Sequence, residues 1–97
     1  MSKQIFNEVL NLVSVETEIS VETIVSKSRL AEVVDARQLV VWFCFKAGIY
    51  PRTIAELLGI SRQAVCQKIQ TIADRRMNES FNYLFSRVAS KLQVTRK

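Results

Sequence analysis

The chain has 97 residues, 48% of them apolar and 24% charged, with 14 Lys and Arg against 9 Asp and Glu. This is the make-up of one folded domain, residues 1–97, with a modest core, and it excludes a disordered chain. It also excludes most catalysis: there is no histidine, only two well-separated cysteines, and only two glycines, so the usual general base, zinc site and phosphate loop are missing. No carboxylate pair stands at a spacing suited to acid–base work. The reading is a protein that is not an enzyme, with no cofactor, no metal and no small-molecule substrate.

Met1 to Gln4 lead into an amphipathic stretch with no cleavage site after it, so no signal peptide is expected. The longest apolar run, Leu39 to Phe45, is far short of the roughly 20 residues that span a membrane, so no membrane partner is expected. Two cysteines without a framework suit a reducing cytosol. A cytoplasmic location follows.

From Lys3 to Val15, the pairs Ile5-Phe6, Val9-Leu10 and Leu12-Val13 predict a helix with one apolar face. Glu16-Thr17-Glu18 interrupts it. Ser20 then caps a short helix reaching about Ser26, with Glu22 in its first turn and Ile19 and Ile24 at staple spacing. Ser26-Lys27-Ser28-Arg29 is a polar, basic connection. It offers two hydroxyls and two cations, which suit phosphate, but by themselves these four residues read as a solvated linker.

A long helix is predicted from about Leu30 to Ala47, ending at Gly48. It is amphipathic at first (Val33, Val34, Arg37) and apolar all round from Leu39 to Phe45, the pattern of a helix at the centre of a bundle. Trp42, Phe43 and Phe45 are read as core and Cys44 as a small buried hydrophobe.

The stretch Pro51 to Ile72 carries the most information. Pro51 suits the first position of a helix, and Ile54, Leu57 and Leu58 share one face of it. Gly59 stands where a left-handed residue ends that helix. Ser61 is an N-cap for the next one, with Ile60 and Val65 as its staple, and Ala55 is small where the two helices cross. Helix, tight turn and capped helix make a helix-turn-helix. The second helix is predicted to run to about Arg76. Asn78 then caps a last helix with Phe81, Leu84, Phe85, Val88 and Leu92 on one face, and Lys91, Arg96 and Lys97 finish the chain.

Charge is unevenly spread. Up to Phe45 there are four basic and six acidic residues; from Lys46 onward there are ten basic and three acidic. A basic half that holds the helix-turn-helix favours a polyanionic partner. At 100° per residue, Val65, Ile69 and Ile72 face the core, while Gln63, Gln67 and Gln70 fall opposite, with Thr71 beside them. Gln can hold adenine by two hydrogen bonds in the major groove, and the first residues of such a helix come nearest to base edges. Arg62 is placed for guanine or phosphate. Cys66 lies near the edge of the strip, where it could pack or touch DNA, and packing is the reading taken.

The string SKSRLAEVVDARQLVVWF, Ser26 to Phe43, resembles the C-terminal DNA-binding domain of the bacterial replication initiator DnaA. That family opens its long central helix after a basic loop with a similar string ending in Ala-Arg-Gln. ISVETIVSKSR resembles the family's short helix and loop, Ile54 to Ile72 its helix-turn-helix, and Phe81 to Leu92 its final helix. The resemblance implies an all-α, Trp-repressor-like bundle of five to six helices. It also implies a basic loop on the DNA backbone or minor groove and a second helix in the major groove. Lys27, Ser28 and Arg29 match loop positions, and Ser61, Arg62, Gln63 and Ala64 match the start of the reading helix. The family's Asp-His-Thr-Thr signature is absent there, and Leu30 and Ala31 stand where the loop is often more basic, so its sequence preference does not carry over.

The expected function is therefore binding of double-stranded DNA, in replication or transcription control, through Lys27, Ser28, Arg29, Arg52, Ser61, Arg62, Gln63 and Gln67. A protein-interaction module on the same scaffold is the alternative. RNA recognition would call for exposed stacking aromatics, and most aromatics here lie in apolar stripes.

Overall fold

The computed structural model describes residues 2–95, with side chains up to Leu92. Among them are seven helices and no strand: α1 (Ser2–Thr17), α2 (Val21–Ile24), α3 (Ala31–Lys46), α4 (Pro51–Leu58), α5 (Arg62–Gln70), α6 (Ile72–Arg75) and α7 (Glu79–Thr95). The all-α bundle is as expected, with one helix more than the five to six anticipated. Arg96 and Lys97, read as terminal cations, lie outside the described residues.

The local signals act where they stand. Ser20 Oγ accepts from the Thr23 N–H at 3.2 Å, Ser61 Oγ from the Ala64 N–H at 3.0 Å, and Asn78 Oδ1 from the Phe81 N–H at 3.0 Å. Each satisfies one of the first N–H groups of a helix, which have no partner within it. At the other ends, Gly48 (φ 101°) and Gly59 (φ 70°) adopt the left-handed conformation. The chain beyond each glycine turns back onto its helix: the Ile49 N–H donates to the Cys44 carbonyl and the Ile60 N–H to the Ala55 carbonyl, both at 3.1 Å. These are glycine C-caps.

α3 is the axis of the bundle. Leu39, Val40, Val41 and Cys44 have no exposed surface, because α1, α2, α4, α5 and α7 all pack against it. Burial pushes the Cys44 thiol up to about 12, so it stays a protonated, inert hydrophobe. The apolar run does not extend evenly to its end. Phe45 is 37% exposed and Trp42 only partly buried, Trp42 lining a groove with residues of α1 and α7. There the Lys46 ammonium lies 5.5 Å from the Trp42 ring.

The predicted single helix from Ser61 to Arg76 is broken at Thr71 into α5 and α6. The cause lies 30 residues away: the Gln38 side-chain amide donates to the Lys68 carbonyl at 2.9 Å and to Thr71 Oγ1 at 3.0 Å. Thr71 Oγ1 in turn donates to the Gln67 carbonyl at 2.9 Å. A side chain inserted into a helix's own hydrogen-bond ladder is a standard cause of a kink. Past the break, the Arg75 guanidinium donates to both oxygens of Asp35 at 2.8 Å. α6 is thereby tied back onto α3.

Candidate nucleic-acid interface

α5 crosses α4 with Val65 fully buried and Ala55 nearly so, and this turns its opposite side outward. Gln63, Gln67 and Gln70 are exposed along that side. Together with Ser61, Ala64 and Cys66 they line a shallow polar groove. The amide strip expected from helical spacing is therefore present on the surface.

Two grooves flank the strip. On one side, Arg62 and Cys66 of α5 face Tyr50, Pro51 and Arg52 at the start of α4. On the other, Ala64, Gln67 and Lys68 of α5 share a groove with the loop residues Lys27, Ser28 and Arg29. The loop and α5 are more than 30 residues apart in the chain, and the fold brings them onto one surface.

What holds the loop there is Arg37. This residue is 9% exposed, beneath the loop rather than on a polar face of α3. Its Nε donates to the Ile24 carbonyl at 3.0 Å, and its Nη2 to the Ser26 and Ser28 carbonyls at 2.7 and 3.2 Å. One carbonyl at the end of α2 and two of the loop are thus bound to one planar cation, a geometry that lysine could not reproduce. Burial lowers the Arg37 pKa from its ordinary value.

Within the loop the two hydroxyls have structural partners. Ser26 Oγ donates to the Thr23 carbonyl at 2.6 Å, and Ser28 Oγ accepts from the Leu30 N–H at 3.3 Å. Ser28 is half-buried, so it shapes the loop before it offers anything outward. Ser61 is exposed, with its oxygen engaged as the α5 cap. Lys27, Arg29, Arg52, Arg62, Gln63 and Gln67 are all exposed.

The cations sort by location. Arg75 pairs with Asp35 and lies over the Phe81 ring at 5.2 Å. Arg76 lies over Phe85 at 4.1 Å and donates to Asn82 at 2.8 Å. Arg87 and Lys91 both bind Glu16 of α1, Arg87 at 3.0 Å. Around α5 the pattern reverses: Lys27, Arg29, Arg52 and Arg62 make no ion pair, side-chain hydrogen bond or ring contact among the described residues. The cations of α6 and α7 serve the fold, and those flanking the amide strip remain available.

Sequence reasoning passed over Arg37, Gln38 and Lys68. For Arg37 and Gln38 the only signal was the resemblance string that contains them, since their partners are set by tertiary contact. Lys68 was readable: at 100° per residue it falls between the core stripe and the outward strip, on the side that meets the loop. No protein-family model matches this chain, and no curated protein matches it.

Proposed function

We propose that this chain is a double-stranded DNA-binding domain, with α5 entering the major groove and the Ser26–Arg29 loop on the backbone or in the adjacent minor groove. The observation that carries this reading is the arrangement around α5. A neutral strip of glutamine amides lies between two grooves whose cations have no ion-pair partner among the described residues: Arg52 and Arg62 on one side, Lys27 and Arg29 on the other. Amides can read base edges, and cations on both flanks meet the phosphates that border a groove. The resemblance to the replication initiator's DNA-binding domain supports the same orientation and a role in replication or transcription control. The string Ala36-Arg37-Gln38 that carries the resemblance contains the two residues that position the loop and α5.

The test is a salt titration with arbitrary duplex. Non-specific dissociation constants of about 1–100 μM at physiological salt are expected. Four phosphate contacts predict that log K falls with log salt at a slope of roughly −3 to −4. Equal affinity at low and high salt, or no binding at low salt, would overturn the proposal in favour of a protein partner.

A further inference from the structure

The groove between the loop and α5 is lined by cations without a carboxylate among them. Four of its lining residues are cations: Lys27 and Arg29 from the loop, Arg37 beneath it, and Lys68 from α5. No Asp or Glu lines it. Lys68 is only partly exposed; burial lowers its pKa from the ordinary 10.5, and the nearby Arg37 charge lowers it further. Like charges have been brought together here at an electrostatic cost, with no anion of the protein's own to offset it.

We infer that Lys68, with Lys27 and Arg29, forms a seat for a single phosphate group that bridges the loop and α5. Arg37 is turned mainly to the protein, since its Nε and Nη2 donors hold backbone carbonyls; it adds fixed positive charge beneath the seat. A phosphate there would accept from Lys68 on one side and from the loop cations on the other. This would lock the loop-to-α5 distance and set the register of α5 beside it. The inference rests on the DNA reading for the source of the phosphate, a backbone phosphodiester, and a free phosphate group would present the same chemistry.

The experiment has two arms. In the first, duplex binding is titrated against salt for the wild type and for Lys68→Met, Lys68→Arg and Lys3→Met. Methionine keeps an apolar stem in place of the partly buried one, and the Gln38 bond to residue 68 uses the main-chain carbonyl, so circular dichroism and melting should stay close to wild type. Lys68→Met should reduce the salt slope by about one unit on every sequence. Lys68→Arg should retain the slope, and so should Lys3→Met, since Lys3 is an exposed cation on α1. In the second arm, inorganic phosphate is titrated into the wild type while the Lys68 side-chain resonance is followed by NMR. Binding should raise the Lys68 pKa, and Lys27→Ala combined with Arg29→Ala should abolish the shift.

If the wild type binds duplex with a steep slope that Lys68→Met leaves unchanged, the seat is refuted and the DNA reading stands. If duplex does not bind but phosphate moves Lys68 in a manner that needs Lys27 and Arg29, the seat stands and the DNA reading falls. If neither ligand registers, both are refuted.

Discussion

The Gln38 amide donates to the Lys68 carbonyl at 2.9 Å, so a buried side chain of α3 fixes where α5 ends. Its neighbour Arg37 binds three carbonyls between Ile24 and Ser28. Two consecutive residues of one helix thereby set both halves of the candidate interface, Gln38 the exit of α5 and Arg37 the path of the loop.

Replacing Gln38 by Met should cost about 1–3 kcal/mol, because a partly buried carbonyl loses its partner. Arg37→Lys should cost at least as much, since an ammonium cannot span three carbonyls held by a planar guanidinium. Urea unfolding reads both. Hydrogen exchange should separate them: protection should fall around Thr71 in the Gln38 variant and around Ser26–Arg29 in the Arg37 variant. An unchanged midpoint for either would show that its hydrogen bonds do not contribute to folding.

Gly59→Ala isolates backbone strain. A Cβ built at this position meets nothing within 4 Å, while φ stays at 70°, so only the left-handed conformation is penalised. The expected cost is about 1–2 kcal/mol. Gly59→Asn should cost less, because Asn tolerates that conformation better. Thermal melting decides this, and equal melting temperatures for Gly, Asn and Ala would contradict the turn geometry.

Glu16 makes stability depend on acid. The hydrogen bond from Lys91, and next that from Arg87, hold its carboxyl below the ordinary 4.5. The folded state therefore takes up this proton less readily than the unfolded one. The contribution is full above about pH 4.5 and is lost as pH falls through the folded value. Glu16→Gln should lower the melting temperature at pH 7, and the gap to wild type should narrow below pH 4.5. A gap that stays constant from pH 7 to 3 would mean that α1 and α7 are not tied through this carboxylate.

Positioning and reading should separate by mutation on a site selected from a random duplex pool. Lys27→Ala and Arg29→Ala should weaken all sequences alike, each reducing the salt slope by about one unit. Gln63→Ala should leave the slope alone and relax preference at one base pair, by about 1–3 kcal/mol for a bidentate contact. Gln67→Ala should act at a neighbouring pair. If Arg29→Ala changed the preferred sequence while Gln63→Ala weakened every variant equally, the loop would be the reader and α5 the anchor.

The amino-acid sequence by itself determined the features that close within a few residues. Ser20, Ser61 and Asn78 each cap an N–H three residues on, and Gly48 and Gly59 end their helices because the left-handed conformation is cheap only for glycine. The outward strip of Gln63, Gln67 and Gln70 follows from helical spacing against Val65 and Ile72, which need only know which side is apolar. Tertiary structure alone decided the rest. Helical periodicity continues past Thr71, and the break there depends on Gln38, more than 30 residues distant. Phe45 sits in an apolar run, yet is 37% exposed while its neighbour Cys44 is fully buried, a difference that depends on which face of α3 the other helices cover. Arg37 counts as surface charge in any composition, and becomes a buried clamp because the loop folds over it. Which cations remain unpaired is settled by where Asp35 and Glu16 lie in space. Those partners are 40 and 71 residues from Arg75 and Arg87 in the chain, a separation that no local pattern encodes.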